Sequence, residues 1–271
     1  MLSIKKVANI FLISLIIFSY SSNSFAYNKV INKKIDNKEN LNESLYKAIE
    51  NNDLEGIKKL IKQGVNLNFK DNENKTPLIY SSLTGNKEMV ELILKNGAYL
   101  DSKDKYGKNA LTFALILDHI EVCKFLIKKG IDINNKFYND YVGWSESFTN
   151  LMMASFKGNK EIVELLIKKG VNVNEKDSNY ATALTWSLKY GHKEISKILI
   201  NNGSKFNDIS NNRENDLIVA LHYNQEELAD FMIRKGADVN CKDSDGKTAL
   251  IIALENKYEK IVILLKKYGA K

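Results

Sequence analysis

The stretch "GADVNCKDSDGKTAL", Gly236 to Leu250, sets a glycine, a connection rich in Asn, Asp and Gly, and a Thr-Ala-Leu run in fixed order. That order recurs along the chain. The glycines Gly64, Gly97, Gly130, Gly170, Gly203, Gly236 and Gly269 are separated by 33, 33, 40, 33, 33 and 33 residues. A second series, Leu45, Leu78, Leu111, Leu151, Leu184, Leu217 and Leu250, keeps the same intervals. Two residue types in one register at a period near 33 describe a single supersecondary unit repeated seven times, with one insertion of seven residues between the third and fourth units.

Each unit reads as helix, tight turn, helix. Three residues after each leucine stands a small side chain, Ala48, Ser81, Ala114, Ala154, Ser187, Ala220 and Ala253, which lets neighbouring helices approach closely. Next comes a turn, where Gly85, Gly158, Gly191, Asn52 and Asn224 tolerate positive φ. The following segment carries an apolar stripe, as in Ile162, Val163, Leu165, Leu166 and Ile167, and ends at the periodic glycine. With a single proline and 44% hydrophobic residues, the chain can bury a large core and form helices freely, so the expected class is all-α. The polar connections read as extended, hairpin-like loops.

These features resemble the ankyrin repeat family, whose signature is a 33-residue unit of two helices opening on a T-P-L-H-x-A run. The matching runs are Thr76-Pro77-Leu78, Thr149-Asn150-Leu151, Thr182-Ala183-Leu184 and Thr248-Ala249-Leu250, with Asn109 and Asn215 in the threonine place. The histidine of that run is absent; Ile79, Thr112, Met152, Thr185, Ile218 and Ile251 stand there. The resemblance covers residues 41–271 and implies a helical solenoid that binds other proteins on the concave surface made by first helices and hairpin tips.

The N-terminus is different in kind. Lys5 and Lys6 precede the apolar run Val7 to Phe18, and Ser24-Phe25-Ala26 follows, which is the pattern of a signal peptide over residues 1–26. The run is too short for a spanning helix, so no membrane association is expected after cleavage, and the chain is expected to be exported, to the periplasm or beyond the cell. Residues 27–40 are polar, lack periodicity and read as a flexible spacer. Cleavage lowers the formal charge from +7 to +5. Lys, Asn and Ile are all abundant, so this basicity reflects composition, and nucleic acid is not an expected partner. At the array ends, Lys47 and Lys59 replace apolar residues of the first unit and Lys266 one of the last, which reads as capping.

Catalytic constellations are missing from the sequence. Three histidines are scattered, His119 and His192 at one repeat position and His222 at another, with no metal-ligand spacing, nucleophile motif or phosphate loop. No enzyme activity, cofactor or metal is expected. Cys123 and Cys241 fall in units three and six, too far apart for a bridge. The expected function is binding, by a monomer, of a protein partner. The alternatives are an envelope protein that stabilises or protects an exported enzyme, and a secreted effector acting on a host protein.

The candidate contact residues lie near the ends of the first helices: Leu83, Ile116 and Leu117, Phe156 and Lys157, Lys189 and Tyr190, His222 and Tyr223. Glu50, Asn51, Glu255 and Asn256 make the outer positions polar, so the pattern is an apolar centre with a polar rim. Lys70, Lys103, Lys136, Lys176 and Lys242 recur at the tips and read either as a solvated edge or as steering for an acidic partner. The insertion, near residues 137–148, adds Tyr138, Tyr141 and Trp144 at the middle of the array, as anchors for a partner or as a loop folded back on its neighbours.

Overall fold

The computed structural model describes residues 37–139, 145–207 and 215–271. The stretch expected to be a signal peptide, most of the expected spacer, Tyr141 and Trp144 lie outside the described residues. The chain divides into a unit of residues 1–43 and a unit running from Ser44 to Lys271.

Among the described residues fourteen helices follow one another in pairs: α1 (Asn37–Glu50) with α2 (Leu54–Lys62), α3 (Pro77–Thr84) with α4 (Lys87–Lys95), and α5 (Ala110–Ile116) with α6 (Ile120–Lys129). After an inserted hairpin come α7 (Asn150–Lys157) with α8 (Lys160–Lys168), α9 (Ala183–Lys189) with α10 (Lys193–Asn201), α11 (Asp216–His222) with α12 (Glu226–Arg234), and α13 (Ala249–Glu255) with α14 (Glu259–Lys267). From α3 onward, first helices pack on neighbouring first helices and second on second. The all-α solenoid expected from the period is thus the fold observed.

The repeated residues do local work. The threonine or asparagine that opens each run is the N-cap of the first helix: Thr76, Asn109, Thr149, Thr182, Asn215 and Thr248 each accept from the backbone N–H three residues on. Such caps contribute about 1 kcal/mol each. The small residues from Ala48 to Ala253 are all buried, as are the periodic leucines except Leu250. The periodic glycines all take positive φ, and so do Asn52 and Asn224 in the helix–helix turns. Where the family's histidine is missing, threonine hydroxyls bridge to the next unit, Thr112 to Asn150 at 2.8 Å and Thr185 to Asp216 at 2.7 Å.

Two further periodic devices stitch the units, and neither was read from the sequence. Asn68, Asn174 and Asn207 donate to the carbonyl of the next periodic glycine. They also accept, 31 residues on, from the N–H of Tyr99, Lys205 and Asp238, and Asp101, Asn134 and Asn240 accept in the same way from the next unit. The second device is at the helix–helix turns. His119 meets the carbonyl of Leu83, and His192 that of Phe156, both at 2.9 Å through Nε2. These rings lie so close to Gly85 and Gly158 that a Cβ there would stand 2.6 and 2.5 Å from ring atoms. The two histidines are therefore structural.

The insertion keeps the count by closing on itself. Strands β1 (Lys136–Asn139) and β2 (Ser145–Thr149) pair antiparallel with Lys136 opposite Thr149 and Phe137 opposite Phe148, and the register shifts before Asn139. Phe137 and Phe148 are buried, so the inner part of the inserted loop folds back on the repeats. Both cysteines are free, and burial pushes each thiol up to about 12.

The two ends of the array differ. Lys47 and Lys59 are exposed at the first pair, as expected of a cap. At the last pair Lys266 is exposed too, but Ile251, Leu254 and Ile263 are exposed beside it, at 42%, 53% and 69%. The expectation of a polar cap at both ends is corrected there: Lys266 is polar, but three aliphatic side chains of the same pair are left uncovered among the described residues.

Candidate protein-binding site

Two first helices, α7 and α9, meet the inserted hairpin in an aromatic cluster at the middle of the array. Trp186, on α9, is buried and donates through Nε1 to Asp177 Oδ2 at 3.2 Å. Phe148 of the inserted hairpin meets it edge-on at 5.3 Å and Phe156 of α7 at 6.2 Å between ring centroids. Tyr190 then packs edge-on against Phe156 at 4.5 Å and stacks on Trp186 at 6.2 Å. Lys189 Nζ lies 5.5 Å over the Trp186 ring. Edge-on pairs of this kind contribute about 0.5–1.5 kcal/mol beyond their burial, which fixes Tyr190 on a rigid base.

Of the residues expected to bind, the structure brings Phe156, Lys189 and Tyr190 together. Tyr190 is 47% exposed and Tyr223 46%. Burial, and then the neighbouring Tyr223, raise the Tyr190 phenol above its ordinary range, which keeps it a neutral hydrogen-bond donor. His222 is exposed, with Nε2 3.4 Å from Asp243 Oδ2. Leu83 and Leu117 are half-buried, and Ile116 is buried between units. Lys157 is tied down, to Asp118 at 2.7 Å and the Ile116 carbonyl at 3.0 Å. Tyr138 is half-buried, stacks on Tyr106 at 6.3 Å and donates its N–H to the Tyr106 carbonyl.

Trp186, the floor of this cluster, was not among the residues expected to bind. The signal was present, since Trp186 shares a repeat position with Tyr80, Phe113 and Met153. The sequence reading also missed the aspartates before the helices. Asp71, Asp104, Asp177 and Asp243 each accept two backbone N–H groups through Oδ1. The free oxygen of Asp71 accepts from Tyr80 at 2.6 Å, as that of Asp177 does from Trp186. Nine residues beyond Asp104 stands Phe113, which has no donor, and Asp104 Oδ2 is buried without a hydrogen bond. Burial accordingly raises the Asp104 carboxyl above the ordinary aspartate range, against its two backbone donors and the nearby Lys108 and Lys75.

The tip lysines are less free to steer than the sequence suggested. Lys103 pairs with Asp132 at 3.4 Å, Lys136 with Glu175 at 2.6 Å, and Lys176 lies 5.8 Å over the Tyr180 ring. Among the described residues no group of three or more His, Cys, Asp or Glu is arranged to hold a metal ion, and no helix is long and apolar enough to cross a membrane.

Stacked helix pairs with an aromatic cluster at the helix ends define a repeat-built scaffold. A model of ankyrin repeats matches three times, over residues 45–137, 151–243 and 205–271, and the chain belongs to that family. The matches leave most of the inserted hairpin between the first two segments. A search of curated proteins finds no match to this chain. Ankyrin repeats are generally protein–protein interaction modules and typically not enzymes.

Proposed function

We propose that the chain seats a protein partner on the concave face at the middle of the array, with Tyr190 and Tyr223 as exposed anchors. Phe156, Trp186 and Lys189 form their base. The observation that carries this reading is Tyr190, half exposed yet held edge-on by Phe156 over the buried Trp186. A rigid, amphipathic ring on a packed floor loses little conformational entropy on binding, which is why tyrosine and tryptophan dominate interface energies. Leu83, Leu117, His222 and Tyr138 line the same side as secondary contacts, while Ile116 and Lys157 act through the packing beneath it. Tyr141 and Trp144, outside the described residues, are proposed as further anchors.

The leader at residues 1–26 places this binding outside the cytoplasm in our reading, so the partner belongs to the envelope or the surroundings. Affinity capture from envelope extracts and from culture medium, with wild type and with Tyr190→Ala, tests the site. The expected outcome is a protein recovered by wild type and depleted at least tenfold with the variant; equal recovery of every captured protein overturns the assignment.

A further inference from the structure

We infer that the exposed face of the last helix pair, α13 and α14, is a self-association surface on which a second copy of this chain docks about a two-fold axis. The neighbouring units show which positions of a pair face the one that follows. Lys124 of α6 pairs with Glu161 of α8 at 2.6 Å, and Lys197 of α10 pairs with Glu227 of α12. Lys193 also reaches Glu227, at 3.9 Å. The position of Lys124 and Lys197 is Ile263 in the last pair, and the position of Lys193 is Glu259.

The first helices agree. Ile218 and Leu221 of α11 are completely buried by the following pair, and their counterparts on α13 are Ile251 and Leu254. Earlier pairs carry a charged residue at the Ile263 position, Lys58, Glu91, Lys124, Glu164, Lys197 and Asp230, so the one apolar choice falls where no unit covers it among the described residues. Three aliphatic side chains on one face, without a hydroxyl or amide among them, are costly in water unless something covers them.

The charges select the occupant. Glu259, Ile263 and Lys266 lie four and then three residues apart, so they form one stripe along α14, acidic at its start, apolar in the middle and basic at its end. An antiparallel copy of that stripe, related by a two-fold axis near Ile263, sets Glu259 of each chain against Lys266 of its partner and Ile263 against Ile263. Such a pattern complements itself, as an isologous interface requires. Head-to-tail stacking is disfavoured, because the counterpart of Glu161 and Glu227 in the first pair is Glu55, which would meet Ile263 and the like-charged Glu259.

Sedimentation velocity of the purified chain over a hundredfold concentration range reads this directly. The expected result is a mass that rises from one to two chains, with a dissociation constant raised at least tenfold by Ile263→Glu and several-fold by Lys266→Glu. Combining Lys266→Glu with Glu259→Lys restores association, since the pairing is exchanged rather than removed. These side chains are exposed, so unchanged helical circular dichroism is expected of each variant. A single-chain mass at every concentration overturns the inference. So does association that Ile263→Glu leaves intact, or that Tyr190→Ala removes instead, or a charge exchange that fails to restore it.

Discussion

Two of the regions that expose apolar side chains are built differently. At the middle of the array, Tyr190 rests on Phe156 and Trp186, and Trp186 is anchored in turn by Asp177. At the end of the array, Ile251, Leu254 and Ile263 are aliphatic and stand on single helix faces. The first region offers large amphipathic rings with polar tips, suited to a partner of different shape. The second offers aliphatic side chains flanked by Glu259 and Lys266, the pattern on which the docking of a second copy was inferred. Exposure alone would have classed them together; the chemistry of the flanking residues separates them.

The contrast is sharpest in stability. Trp186→Ala removes the floor shared by Phe148, Phe156 and Tyr190 and is expected to lower stability by about 3–5 kcal/mol, whereas Ile263→Glu should change the urea midpoint of the single chain by less than about 0.5 kcal/mol equivalent. A small loss from Trp186→Ala would mean that the cluster is not a packed base. Next in size is the turn beneath it. Gly158→Ala must accommodate a left-handed backbone and the His192 ring, for about 1–3 kcal/mol, while Gly203→Ala meets no atom within 4 Å and should cost less. Equal midpoints for the two variants would remove the histidine stitch from the account.

A further effect is a gain. Phe113→Tyr gives Asp104 the hydroxyl that Tyr80 gives Asp71 and should stabilise the fold by about 1 kcal/mol near neutral pH. The pH dependence carries the sign. Because the folded Asp104 pKa is raised, the stability it contributes is complete below the ordinary aspartate value of 3.8 and is lost as pH climbs through the raised one. A hydrogen bond to the carboxylate lowers that folded pKa, so the loss across this window should shrink in the variant; an unchanged pH profile in thermal melts contradicts the assignment.

The fold was legible because periodicity is a property of the sequence itself. Gly64 to Gly269 and Leu45 to Leu250 fix the helix pairs, and even the seven extra residues could be assigned to one tip by counting back from Thr149. What stayed hidden depends on which neighbour a side chain meets. Ile116 and Tyr190 occupy neighbouring places in their units, yet one is buried between units and the other exposed. Lys157 looked like a surface cation and proves to be a clamp on Asp118 and the Ile116 carbonyl. The Asn and Asp side chains that join successive tips were periodic as well, but in a chain so rich in asparagine their spacing did not stand out. The far end was misread because Lys266 was compared alone, and the strip beside it shows only when each position is matched to the unit that would cover it.

Site-specific photocrosslinking in the native cell tests the central claim most directly, with the probe at Tyr190 in one strain and at Glu164, on the second-helix face, in another. The expected result is a discrete adduct with a different protein from position 190 and none from position 164. A partner captured from position 164 while position 190 yields nothing would contradict binding through the central aromatic face.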